Sequence, residues 1–128
     1  MALYRGRPIG TLGNALMAID YAAILARKLT AIFPADADRS DAENILMTYG
    51  VERYEREAAR VRLAVLKIAG ANLSELRRHV AVAKRDYRDT LAAAEYPAQM
   101  RGPISPDPTE RQRLVAEDTE AYAAWLSR

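Results

Sequence analysis

Two amphipathic patterns separated by three residues constrain this chain more than any other feature. From Val51 the apolar positions Val51, Tyr54, Ala58, Val61, Val65 and Ile68 advance in steps of three and four, and Ala59, Leu63 and Leu66 widen the stripe. That spacing marks one face of an α-helix; a strand would alternate by two. Gly70-Ala71-Asn72 then supplies a helix-ending glycine and a capping asparagine, with Glu75 placed as the partner in a capping box. A second seam follows through Leu73, Leu76, Val80, Ala83, Tyr87, Leu91 and Ala94. Two apolar faces joined by so short a turn are expected to fold back on each other as an antiparallel αα-hairpin.

The predicted class is therefore all-α: a small bundle of four or five helices around that hairpin, with residues 1–128 as a single domain. A chain of 128 residues, 50% apolar and 28% charged, suits one modest core. Residues 1–13 hold Gly6, Pro8, Gly10 and Gly13 and read as a flexible arm. Residues 14–33 are strongly apolar, with Asn14 as the expected N-cap, Pro34 as the stop, and only Asp20, Arg27 and Lys28 charged. PADADRS, residues 34–40, reads as a polar linker, and Ser40-Asp41-Ala42-Glu43 as a capping box that opens a short helix over 41–49. Pro97, Pro103, Pro106 and Pro108 predict an extended linker over 97–108. Asp107-Pro108 then starts a last helix to about Leu126, which docks back through Leu114, Val115, Ala121, Tyr122, Trp125 and Leu126.

Charge and cysteine content remove several function classes. The 19 basic and 17 acidic residues leave a net charge of +2, too small a field to hold a polyanion. With no cysteine, disulfides, thiolate nucleophiles and Cys-ligated metals are excluded. Arg5 and Arg7 precede an apolar run as in a signal peptide, but Asp20 interrupts it, and no uncharged run approaches the roughly 18 residues of a membrane span. The expected location is the cytoplasm.

The stretch KRDYRDTLAAAEYP, residues 84–97, looks like a motif but reads as a helix end. Tyr87 and Leu91 lie on the seam, Arg85 and Asp89 are spaced for an intrahelical ion pair, and Ala92, Ala93 and Ala94 allow close helix approach. Tyr96-Pro97 stops the helix. A chemical role for Asp86, Asp89 or Glu95 would require a buried carboxyl with a raised pKa. Residues 55–97, EREAARVRLAVLKIAGANLSELRRHVAVAKRDYRDTLAAAEYP, followed by a Pro-rich link and AYAAWLSR at 121–128, resemble a group of small bacterial proteins of unknown function. These share a similar hairpin with Asp-Tyr-Arg-Asp and Ala-Glu-Tyr-Pro near its end. The resemblance covers roughly residues 41–128 and brings no activity, cofactor or site residue.

No catalytic, cofactor or metal set emerges from the sequence. The serines are a cap, a helix start, a linker residue and a tail residue, and the lone His79 is the one imidazole base. Glu75 and His79 share a helix face, but helical di-iron sites use two such pairs and two further glutamates. Gly6, Gly10 and Gly13 lack the preceding strand and the spacing of a phosphate loop. The expected function is protein–protein contact, self-association included, through the apolar face Leu16, Ile19, Ala23, Leu25, Leu29, Ile32 and Phe33; the alternative role of that face is to fill the bundle. The alternative function is nucleic-acid binding. It would use Arg5 and Arg7, where Arg-Gly-Arg-Pro matches a minor-groove arm, or the hairpin bases Arg53, Arg56, Arg60, Arg77, Arg78, Lys84, Arg85 and Arg88.

Overall fold

The structure is a computed structural model of the chain and describes residues 19–128. The described residues form an all-α fold of seven helices, more than the four or five expected. Helix α1 (Tyr21–Ile32) begins where the Asp20 carboxylate accepts a hydrogen bond from the Ala23 amide at 3.0 Å. The expected start at Asn14 lies outside the described residues. Ile19 and Asp20 are not helical, so Asp20 is a cap and not part of a polar stripe.

Helix α2 (Asp36–Met47) corrects the reading of residues 34–40 as a linker. Pro34 fixes the turn, and Asp36 and Asp38 then fall in a first turn that favours negative charge. Arg39 reaches back to the carbonyls of Phe33 at 3.1 Å and Pro34 at 3.2 Å, and pairs with Asp36. Ser40 and Glu43 therefore sit inside the helix, and the capping box does not form its start. After Met47 the chain turns through Gly50, at φ +101.

Helix α3 (Ala58–Ala69) starts seven residues later than the periodicity suggested. Glu57 adopts a left-handed conformation at φ 56, which breaks any helix entering from Val51. Val51 and Tyr54 consequently face solvent. From Val61 onward the stripe turns inward: Val61, Leu63, Val65 and Leu66 are fully buried, as is Ala64 outside the stripe, and Ile68 is partly buried. Helix α3 packs against α1, α2, α4 (Leu73–Arg85) and α5 (Tyr87–Glu95), and so forms the axis of the core.

Gly70 ends α3 at φ 63, and Asn72 caps α4 by accepting from the Glu75 amide at 3.0 Å. The Glu75 carboxylate turns to Arg78 instead of reaching back, so only half of the capping box is made. The expected single helix over 73–95 is interrupted at Asp86, whose extended backbone (φ -156, ψ 96) ends α4 and caps α5. The Arg85–Asp89 pair therefore has no continuous helix to support it, and Arg88 pairs with Asp86 at 3.1 Å. The Pro-rich segment opens with a single turn, α6 (Pro97–Met100), before the long α7 (Pro108–Ser127), which Asp107 caps through the Thr109 amide at 3.0 Å.

Helix α7 meets the core through its C-terminal end. Trp125 and Leu126 pack on the core, and Arg27 donates to the carbonyls of Leu126 and of Arg128, the latter at 2.6 Å. The Lys28 ammonium, itself buried, lies 4.3 Å from the centre of the Trp125 ring. Val115 and Ala121 are the exceptions on this face, since both are exposed.

Candidate functional site

The structure redistributes the residues expected to make contacts. Leu16, Arg5 and Arg7 lie outside the described residues. Leu25, Leu29 and Phe33 are buried in the chain's own core, and Ile32 packs partly buried against them. Ile19 is half-buried and Ala23 exposed. Leu25, Leu29 and Phe33 are thus taken up by the chain's own core, where α1 packs on α2 and α3.

The acids of the 84–97 stretch are also structural. Asp86 caps α5, and its hydrogen bond from the Arg88 side chain holds its carboxyl below the usual range, opposite to what acid catalysis needs. Glu95 accepts both arms of Arg60, at 2.7 and 2.6 Å. Asp89 is exposed in the first turn of α5. His79 lies 3.6 Å from Glu75, but Arg78 already occupies that carboxylate, and burial followed by the Arg78 charge lowers the imidazole pKa. Among the described residues no three His, Cys, Asp or Glu side chains gather as a metal would require. Of the hairpin bases, Arg60, Arg78, Lys84 and Arg88 are ion-paired within the chain, which leaves less charge for a phosphate backbone.

Two carboxylates that the sequence reading passed over organise the surface. Glu55 is buried, with its side chain 1% exposed. One oxygen accepts from the amides of Gly50 at 2.8 Å, Val51 at 3.0 Å and Glu52 at 3.3 Å; the other accepts from Lys84 at 2.8 Å. The Lys84 hydrogen bond is the main reason the Glu55 pKa falls to about 2; the three amides add to it and burial opposes it. Tyr49, fully buried beneath, donates to the Arg56 carbonyl at 2.8 Å, and burial pushes its phenol up to about 12. The loop is fixed from within, yet it turns its apolar side chains outward: Val51 is 72% exposed and Tyr54 67%, with Met47 exposed at its start.

Asp118 plays the same part beside the Pro-rich segment. It is buried on α7 and accepts from the Ala98 amide at 2.9 Å, the Gln99 amide at 3.0 Å and the Gln99 side chain at 3.0 Å. Burial disfavours its ionised form, but these hydrogen bonds and the nearby Arg101 outweigh that and keep its pKa low. Beyond these two amides the chain displays apolar groups, with Met100 58% and Ile104 82% exposed. Between residues 96–105 and α7 lies a groove of about 410 Å³, with Tyr96, Met100, Pro103, Ile104, Leu114 and Val115 along its walls and Arg111 at its edge. The sequence carries one hint of each anchor: an acid five residues after a loop glycine, and an acid on an otherwise apolar helix face.

Comparison with family models, with curated proteins and with solved structures gives no match to this chain.

Proposed function

We propose that this protein acts through protein–protein contact, self-association included, rather than by catalysis, and that the contact is made by the segment from Met47 to Tyr54. The supporting observation is the exposure of Val51 and Tyr54 on a loop whose backbone the buried Glu55 holds through three amides. An apolar epitope held this way loses little conformational entropy on binding, which is what makes small exposed anchors effective.

The test uses the full-length chain and a Val51→Asp, Tyr54→Asp double variant, both side chains being exposed. Sedimentation across a concentration series and affinity capture with nuclease treatment are compared for the two proteins. The reading expects an assembly or a nuclease-resistant stoichiometric partner with the wild type, lost in the variant while helicity and thermal midpoint are kept. A wild-type monomer that captures nothing, or a variant that keeps every contact, overturns it.

A further inference from the structure

The groove between the Pro-rich segment and α7 is open to solvent and lined mainly by apolar side chains. Its volume, about 410 Å³, lies in the range of small-molecule sites, roughly 300–1,000 Å³. Its walls are apolar, and Met100 supplies a side chain that adapts to irregular shapes. One wall is rigid because Asp118 ties the backbone of Ala98 and Gln99 to α7.

The charges around it are unequal. Glu110 and Glu117 are engaged by Arg113, and Glu117 also meets Arg101 at 3.4 Å. Asp107 is committed to its helix cap, and Asp118 to the amides. Arg111 has no carboxylate partner among the described residues. Its guanidinium donates one hydrogen bond, to the Ser105 carbonyl at 2.7 Å, which holds it at the groove edge with donors to spare.

We propose that the groove binds an amphiphilic carboxylate, its alkyl or aryl body lying on Met100, Ile104, Leu114 and Val115 and its carboxylate paired with Arg111. An apolar wall alone would take any greasy molecule. A guanidinium without an acidic partner at its edge selects the anionic one, because charge-assisted hydrogen bonds are the stronger kind. This site is separate from the Met47–Tyr54 contact segment and stands or falls independently of it.

Decanoate is the probe, with decanol of the same chain length as the uncharged control. The full-length protein is titrated with each, followed by methyl resonances of Met100, Ile104, Leu114 and Val115 and by calorimetry. Decanoate is expected to saturate one site with shifts confined to the groove, and to bind about tenfold more tightly than decanol. Arg111→Gln should bring decanoate down to the level of decanol. Val115→Glu, at an exposed helix position that tolerates charge, should abolish decanoate binding while leaving the helical spectrum unchanged. Absence of saturation, equal affinity for the acid and the alcohol, or decanoate binding retained in Val115→Glu would each overturn the proposal.

Discussion

Glu55 stands in for secondary structure at the residues where α2 has ended and α3 has not begun. Its carboxylate collects amides that would otherwise have only water as partner, and Lys84 balances its charge. Glu55→Ala should cost about 2 kcal/mol, read by denaturant unfolding, and should speed amide exchange at Gly50 and Val51 first. In the fold Glu55 stays ionised down to about pH 2, whereas in the unfolded chain it takes its proton near 4.5. The stability it contributes is therefore complete above about 4.5 and lost as the pH falls through about 2. Glu55→Gln should flatten this part of the stability-versus-pH curve; an unchanged acid limb would show that the carboxylate carries no such linkage. Gly50 is the neighbour that cannot change. A Cβ there would meet the Ala58 Cβ at 2.7 Å and the Arg62 guanidinium at 2.9 Å, on a backbone at φ +101. Gly50→Ala should destabilise by about 1–3 kcal/mol, seen as a lower thermal midpoint.

The helices differ in how far they could be read in advance. The interior of α3 and the seam of α4 follow from spacing alone, because Val61, Val65, Leu76, Val80 and Ala83 repeat at helical period and all are buried. Helix α1 was legible as apolar but not as core or contact, since periodicity gives a face and not the element that covers it. Leu29, 4% exposed, settles this at the bench: Leu29→Ala should cost about 3 kcal/mol, whereas a free contact face would tolerate the change. Three boundaries were hidden. Residues 51–57 carry a helical period but are held out of the helix by Glu57 and Glu55; residues 36–40 are polar but helical; and Asp86 splits a continuous seam. Each depends on a backbone angle or a tertiary hydrogen bond that local spacing does not encode. Asp86→Ala should leave the seam intact and remove the cap, lowering amide protection at Arg88. The Asp118 site was illegible because its partners lie on another segment, and the Glu55 site because its amides are collected by a non-helical turn and its countercharge, Lys84, comes from α4.

Helix α3 gathers four neighbours, and α7 closes the molecule by placing Trp125 against the core and over Lys28. As Trp125 is the single tryptophan, its emission reports on that closure alone. Heating should give one transition, with tryptophan emission and helical circular dichroism falling together. Earlier loss of emission would mean that α7 undocks as a separate unit. The Glu55-held loop has a further consequence for the molecule as a whole. The anchor grips main-chain atoms, which every residue but proline supplies, so the identities of Val51 and Tyr54 are chemically free of the fold. Randomising positions 51, 53 and 54 in a display library should return mostly folded clones with altered recognition, making this loop a place where a new specificity is grafted without rebuilding the scaffold beneath it.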